Sequence, residues 1–387
     1  MDASLFIASK LRFKGKIAVS CIAVSFFVMI VAVSISSGFR HEVRSSLSEI
    51  SGDILLSAPD LNIMSEGSHV VLPFPGLSYI EESEKVSHVL PVVWRAGIVK
   101  HGEEMYGVVV KGIPSYKADS VALGVSIPGR LARTSGLKAG DRMLTYFVGD
   151  DLKVRQFNVA DVHESLVETD DRYVVYASLS DMQRRNGWSE AQVSAVEVHL
   201  ADGLDSEEDI TDATQEIGSV VSLYQDGEDI IATSSVSRYP GLFNWLTLID
   251  FNVGIILLLM TVVAGFNMIS GLLIMLFENI STIGLLKSLG MTDRAISKVF
   301  LVSSARLTAM GMAVGNALAI IFCIVQRTTH LLKLNPENYY VSFVPVKLDM
   351  GMILIADAVS FAVIMVLLLI PCLFISKVDP AQTVRVR

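Results

Sequence analysis

Long apolar stretches separated by mixed sequence dominate the pattern of this chain. The clearest one, Phe251 to Phe277, carries no formally charged residue over about 27 positions, and at a helical rise of about 1.5 Å per residue it exceeds the roughly 30 Å of a bilayer core. Three other stretches have a similar composition. The pattern therefore predicts four membrane-spanning helices, at residues 17–38, 243–277, 299–326 and 350–376.

Residues 39–242, between the first two helices, are typical of a large folded domain. Short runs rich in Val, Ile and Tyr alternate in part with polar residues and indicate strands, and helical segments lie among them without a strict order. This predicts an α+β domain, with 39–50 and 230–240 as stalks that extend the flanking helices. The predicted strands are Asp53 to Ser57, Val89 to Lys100, Glu104 to Gly112, Met143 to Val148, Lys153 to Val162, Arg172 to Ala177 and Val193 to Leu200, and the predicted helices are Leu77 to Ser83, Gly129 to Ser135, Ser178 to Asn186 and Ser206 to Ile217.

The charges of the loops predict the orientation. Residues 1–16, 278–298 and 377–387 each hold more Lys and Arg than Asp and Glu, and such segments face the cytoplasm in most membrane proteins. The domain at 39–242 and the loop at 327–349 then lie on the extracytoplasmic side, where the acidic residues that dominate the net charge of −9 are found. Residues 1–16 mix apolar and basic side chains, which favours a short interfacial helix before the first span.

Composition narrows the possible functions. With 51% hydrophobic and 18% charged residues, the chain is too apolar for an ordinary soluble enzyme. His163 and Glu164 lack the second histidine that a zinc hydrolase needs at helical spacing, and no serine lies in a G-x-S-x-G elbow. We therefore expect neither catalytic nor metal-binding residues, and the acidic balance argues against nucleic acid as a partner.

Small and charged residues inside the predicted spans suggest packing roles. Gly311 and Gly315 form a G-x-x-x-G pattern in the third span, and Gly265 lies in the second. Small residues at this spacing permit close contact between helices. Arg306 and Asp357 lie near the ends of the third and fourth spans, where a structural role is expected in preference to ion coupling.

Large apolar residues mark the first two predicted spans. They fit either the wall of an apolar cavity open to the outer leaflet or anchors at the membrane interface, where aromatic side chains are common. The sequence does not separate these interpretations. The candidate cavity residues are Phe26, Phe27, Ile30, Phe39, Phe251, Ile255, Leu259 and Phe266.

Four stretches carry a family resemblance. They are LFIASKLRFKGK with SSGFRHEVR around the first span, GRLARTSGLKAGDRM in the outer domain, FNMISGLLIMLFENISTIGLLKSLGMTDRAI in the middle, and NPENYYVSFVPVKLD with VDPAQTVR near the end. Together they resemble permeases of the FtsX/MacB-type ABC superfamily. The tyrosine-rich segment is more specific to its lipoprotein-releasing branch, the LolC/LolE permeases.

The resemblance implies a complex of two permease subunits, identical or different, with two cytoplasmic ATPases of the LolD kind. ATP and Mg²⁺ would be bound by those ATPases, so no cofactor is expected on this chain. The family's E-x-x-x-x-I-x-x-L-K-x-x-G coupling pattern predicts an ATPase-docking helix, although Asn279 and Thr282 stand where a basic and an acidic residue are common. The candidate docking residues in this segment are Glu278, Ile283, Gly284, Leu285, Lys287 and Gly290.

The resemblance further implies a function, which is extraction of lipoproteins from the outer leaflet of the inner membrane and transfer to a periplasmic carrier of the LolA kind. The LolC branch has a hairpin that grips the carrier. The candidates here are His163, Glu164, Leu166 and Val167, in a segment that also fits a solvated turn. Two alternatives remain open: a MacB-like mechanotransmission permease for efflux, and an FtsX-like regulator of cell-wall hydrolases.

Overall fold

The computed structural model describes residues 16–60, 64–65, 67–114, 122–147, 152–163, 173–204, 206–223, 229–334, 341 and 343–372. They divide into two compact units. The first consists of the described residues up to Phe39, Leu246–Lys333 and those from Phe343 onward. The second consists of the described residues in Arg40–Trp245 and Leu334–Ser342.

Helices and strands have the following bounds. The helices are α1 (Lys16–Ser51), α2 (Leu77–Glu81), α3 (Gly129–Ser135), α4 (Leu179–Asn186), α5 (Glu207–Leu223), α6 (Ser235–Arg238), α7 (Pro240–Glu278), α8 (Ile280–Ser288), α9 (Asp293–Thr329), α10 (Met350–Leu367) and α11 (Leu369–Cys372). The strands are β1 (Ile54–Ser57), β2 (Val70–Val71), β3 (Val86–His101), β4 (Glu104–Ile113), β5 (Gly124–Pro128), β6 (Arg142–Phe147), β7 (Lys153–His163), β8 (Tyr173–Ser178), β9 (Gln192–Val193), β10 (Ala195–Leu200) and β11 (Ile231–Ser234).

The second unit is built on a mixed sheet. Among the described residues, nine strands pair in the order β11-β1-β10-β3-β4-β8-β5-β7-β6. The end of β3 also pairs with β6, from Gly97 opposite Phe147 to Lys100 opposite Leu144. The six strands from β3 to β6 in this order therefore close into a barrel, and side chains fill its interior as in other small barrels. This core includes Val93, Val99, Val108, Val110, Val125, Ile127, Phe157 and Val175.

The prediction of a stalk at residues 230–240 is wrong. Ile231–Ser234 is strand β11 and pairs with β1 in antiparallel register, with Ile54 opposite Ser234. The helix α7 begins only at Pro240. Proline lacks an N–H group and has a fixed φ, so it suits the first turn of a helix and interrupts a longer one. Residues 39–50, in contrast, are helical as predicted, within α1.

The first unit contains the apolar helices. Among the described residues, four helical segments are long and apolar enough to cross a membrane, and these are α1, α7, α9 and Met350–Cys372. Their number agrees with the sequence. The helix α9 begins inside the predicted 278–298 loop because Thr292 caps it, with the side chain accepting a hydrogen bond from the N–H of Ala295.

Close contact through the glycines of α9 is confirmed. A Cβ atom on Gly315 would lie 2.5 Å from the carbonyl oxygen of Ala23 and 2.9 Å from Cβ of Phe26. A Cβ atom on Gly311 would lie 2.7 Å from Cγ2 of Ile22. The approach of α1 to α9 is therefore possible only because these positions carry no side chain.

Two pairs of polar side chains connect neighbouring apolar helices. The hydroxyls of Thr261 on α7 and Ser360 on α10 lie 3.0 Å apart and are buried. Asn316 Nδ2 on α9 donates a hydrogen bond to Asp357 Oδ2 on α10. Asp357 thus takes part in packing between helices, as expected, whereas Arg306 is exposed.

Candidate functional site

The segment between α7 and α9 contains the residues that match the coupling pattern. The helix α7 ends at Glu278, and Asn279 leaves the helical conformation with φ of −110° and ψ of 20°. Its side-chain Nδ2 donates a hydrogen bond to the carbonyl oxygen of Met275 at 2.9 Å. Asparagine competes in this way for the backbone groups of a helix, so α7 stops and the short helix α8 follows.

The helix α8 has a buried side and an exposed apolar side. Ile283 is buried in the same apolar cluster as Phe300 of α9, and Gly284 is buried next to it. On the exposed side, Leu285 is 56% and Leu289 76% exposed. Full burial of a leucine side chain contributes about 1.5–3 kcal/mol, so this surface is suited to binding a protein partner.

A glycine closes the C-terminus of α8. Gly290 has a φ of 89°, which L side chains rarely adopt. Its N–H donates to the carbonyl oxygen of Lys287, and the N–H of Met291 donates to that of Leu286, both at 3.0 Å. These two bonds form a Schellman motif, which favours glycine at this position. The glycine of the family pattern therefore has a structural role.

Lys287 fixes α8 to the next helix. Its Nζ lies 2.8 Å from Oδ1 of Asp293, in the first turn of α9, and its side chain is only 10% exposed. A carboxylate in a first turn is also favoured by the helix dipole. Lys287 therefore holds the turn between α8 and α9 together, and little of its side chain is left for a partner.

The six candidate docking residues thus lie in one short segment but face different ways. Ile283, Gly284 and Lys287 face inward, whereas Glu278, Leu285 and Gly290 are exposed. The pattern missed Leu289, which is the most exposed leucine of the segment. Its spacing of four from Leu285 was the available signal, because residues at i and i+4 lie on one helix face.

The candidate cavity residues on α1 lie mostly inside the protein. Phe26 and Ile30 are fully buried and Phe39 is nearly so. Phe27 meets Phe322 of α9 edge-on, with ring centroids 5.9 Å apart. Phe26 and Ile30 pack into apolar clusters that include residues of α9, because its glycines allow α1 to approach closely. A cavity-wall role for the candidates on α1 stays a prediction.

The candidates on α7 have different surroundings. Phe251, Ile255, Leu259 and Phe266 are between 41% and 66% exposed. Their spacings of four, four and seven residues place them on one stripe of the helix. An exposed apolar stripe in a membrane helix faces lipid, another subunit or an apolar substrate. These four residues therefore stay candidates for a cavity wall.

His163 is part of the barrel. It ends β7, where its Nδ1 lies 2.8 Å from Oγ of Ser126 and its ring meets that of Tyr176 edge-on at 4.9 Å. Burial lowers the pKa of His163, which favours the neutral ring. A role of His163 in carrier binding stays a prediction. The other hairpin candidates, Glu164, Leu166 and Val167, lie outside the described residues.

Relatives that align with nearly the whole chain are named as proteins of one transport system. The lipoprotein-releasing system transmembrane protein LolC of Xylella fastidiosa is 21% identical, and the alignment covers 94% of this chain and 92% of that protein. LolC of Neisseria meningitidis is 22% identical, with 97% and 94% covered. LolE of Haemophilus influenzae is 20% identical, with 93% and 91% covered.

Two solved structures align with about half of the chain. The periplasmic region of MacB from Actinobacillus actinomycetemcomitans aligns with a TM-score of 0.32 and 12% identity, covering 51% of this chain and 96% of that one. The extracellular domain of YknZ, a noncanonic ABC-type transporter from Gram-positive bacteria, aligns with a TM-score of 0.30 and 13% identity, covering 47% and 98%.

Two family models account for most of the sequence. The model of the MacB-like periplasmic core domain matches residues 17–219, which is more than half of the chain. The model of the FtsX-like permease C-terminal domain matches residues 254–380 and so includes the α8 segment and the last two apolar helices. The chain therefore belongs to the family of ABC permeases that combine a MacB-like periplasmic core domain with an FtsX-like membrane domain.

Proposed function

We propose that this chain is a permease subunit that extracts lipoproteins from the outer leaflet of the inner membrane and hands them to a periplasmic carrier of the LolA kind. The observation that carries this proposal is the extent of the similarity. The relatives named LolC and LolE align over more than nine-tenths of both chains, so the likeness includes both the sheet domain and the membrane helices.

Such a reaction needs a source of energy outside this chain. Each buried CH₂ group of an acyl chain contributes about 0.8 kcal/mol to membrane binding, so a lipid anchor with several chains does not leave the bilayer spontaneously on a useful timescale. A cytoplasmic ATPase of the LolD kind, holding ATP and Mg²⁺, would supply the work. The permease has to receive that work at its cytoplasmic surface and apply it to the lipid-facing side.

The α8 segment is suited to receive it. In this proposal Leu285 and Leu289 insert into a groove of the ATPase, and Glu278 lies at the edge of the contact. The Schellman turn at Gly290 and the ion pair between Lys287 and Asp293 tie α8 to α9. A displacement of α8 is therefore passed to α9 and is not absorbed by a loose loop.

The exposed stripe of α7 is suited to meet the lipoprotein. Phe251, Ile255, Leu259 and Phe266 offer large apolar side chains along more than three turns of helix. Acyl chains bind to such a surface without directional contacts. A second permease subunit, identical to this one or a homologue, would supply the opposite wall.

One alternative has a specific observation in its favour. The family model of the MacB-like periplasmic core matches residues 17–219, which also suits a permease that drives efflux through its periplasmic domain. The two functions differ in what accumulates when the subunit is lost. Depletion of this chain in its host, followed by membrane fractionation, separates them. Lipoproteins retained in the inner membrane would support release, whereas normal lipoprotein sorting with increased drug sensitivity would refute it in favour of efflux.

The docking role of α8 has its own test. Leu285→Asp places a charge on the exposed apolar side of α8 without touching its buried side, so we expect loss of ATPase copurification and of lipoprotein release. Leu223→Asp is the control, because Leu223 is a leucine at the end of α5 in the sheet domain that is even more exposed, at 82% against 56% for Leu285. Normal copurification of the ATPase with the Leu285→Asp protein would refute the docking assignment.

A further inference from the structure

A buried ion pair lies where the long helix α1 ends. Lys111 of β4 and Glu197 of β10 are 1% and 0% exposed, and Lys111 Nζ lies 2.7 Å from Glu197 Oε2. The same Nζ donates to the carbonyl oxygens of Ile50 at 2.7 Å and Glu49 at 3.3 Å. These are carbonyls of the last turn of α1, where the helix dipole favours a cation. The lysine thus joins the end of α1 to the sheet.

The backbone after α1 is fixed at the same place. Gly52 has a φ of +64°, and a Cβ atom on it would lie 2.8 Å from Cβ of Glu197. The carboxylate of the next residue, Asp53, accepts hydrogen bonds from Ser48 Oγ and from the N–H of Leu200, both at 2.9 Å. The chain therefore leaves α1 in one defined direction and enters β1 directly.

The segment that leads into α7 is attached to these same residues. Arg238 Nη2 donates to the carbonyl oxygen of Gly52 at 2.8 Å, and the N–H of Ser235 donates to that of Asp53 at 2.8 Å. Arg238 is two residues before Pro240, the first residue of α7. We call the group formed by Lys111, Glu197, Gly52, Asp53 and Arg238 the junction.

Stability alone does not explain a junction of this kind. Replacing a buried ion pair by apolar residues of similar volume is often neutral or stabilising, because the charges lose their hydration. A lysine that binds a carboxylate and two helix carbonyls together does, however, fix a single geometry. The helices α1 and α7 each belong in part to the first unit and in part to the second.

We propose that the junction is a coupling element of transport and that Lys111 is its positioning residue. The junction holds the end of α1 and the segment before α7 to the sheet, so that displacement of the helices moves the periplasmic domain. This inference rests on the proposed lipoprotein release. It predicts that a protein without the Lys111 contacts folds and supports ATP hydrolysis but performs less transport per ATP.

The test compares variants in the complete complex with its ATPase, reconstituted in vesicles with a labelled lipoprotein and the host's carrier. Lys111→Met with Glu197→Leu removes the ion pair and the α1 contacts without leaving a buried charge unpaired. We expect a melting temperature close to that of the wild type and at least a tenfold rise in ATP hydrolysed per lipoprotein released. The matched control is Lys85→Met with Glu216→Leu, an exposed pair at 2.6 Å in the same domain, for which we expect no change.

A folded double variant that releases lipoprotein at the wild-type ratio would overturn the inference. If that variant does not fold, Arg238→Gln takes its place, because Arg238 is half-buried at the rim of the junction and its loss leaves the ion pair intact. A wild-type ratio of ATP hydrolysed to lipoprotein released in folded Arg238→Gln protein would then overturn the inference. Failure of the wild-type complex to release any lipoprotein would instead refute the proposed function itself.

Discussion

Replacement of Gly315 by alanine measures how far the helix packing depends on the absence of a side chain. The added Cβ would lie 2.5 Å from the carbonyl oxygen of Ala23 and 3.1 Å from the backbone nitrogen of Phe27. Both are backbone atoms of α1 and cannot turn aside, so α1 and α9 must separate. Overpacking of this kind costs about 1–3 kcal/mol, and alanine recovers up to about 1 kcal/mol of helix propensity. We expect a net loss of up to about 2 kcal/mol.

Thermal unfolding of the purified protein in detergent is the assay. A loss of 1 kcal/mol lowers the melting temperature of a mid-sized domain by about 2–4 °C. The control is Gly254→Ala, the same change in α7, where an added Cβ would have no atom within 4 Å; it should be neutral or slightly stabilising. Equal melting temperatures for Gly315→Ala and Gly254→Ala would refute the contact between α1 and α9 as described.

Three further predictions concern the sheet domain and α8. Gly52→Ala should lower the free energy of unfolding by about 2 kcal/mol or more, because left-handed strain adds to the close contact with Glu197. Gly203→Ala, at φ +99° with no atom near the added Cβ, should lose only the strain energy. Equal losses of unfolding free energy for the two variants in chemical denaturation would contradict this. Gly290→Ala should reduce hydrogen-exchange protection in the last turn of α8, because alanine at φ 89° carries the same left-handed strain; unchanged protection would contradict it. Burial lowers the pKa of His199 to about 3, so only the unfolded chain takes up a proton below its ordinary value of about 6.5. Stability should then fall between pH 6.5 and 3 by up to about 1.4 kcal/mol per pH unit, and His199→Gln should have a shallower loss when melting temperatures are compared across this range; parallel curves would refute the role of this side chain.

The α8 segment illustrates which features of a site a sequence pattern can predict. The coupling pattern selected a segment that forms a separate short helix, because Asn279, Gly290 and Thr292 are local stop, turn and cap signals. It did not show that Lys287 binds Asp293 or which side of α8 is buried. Those facts depend on where α9 lies, and a short helix with apolar residues on both sides contains no information about that.

Local chemistry determined what the sequence alone could predict. Span length, loop charge and residue alternation are properties of neighbouring residues, so four apolar helices, most strands and the helix at Gly129–Ser135 followed from them. Strands β2, β5 and β11 did not, since each is short and is a strand only through its partners in the sheet.

The tertiary structure alone decided the barrel closure, the burial of α1 and the junction. Lys111 and Glu197 are 86 residues apart in the chain, and the pairing of β3 with β6 joins residues 97–100 to residues 144–147. Such contacts form only between groups that the whole fold brings together. A buried lysine and glutamate are stable only as a pair, and no local pattern of hydrophobic and polar positions indicates which two residues will form it.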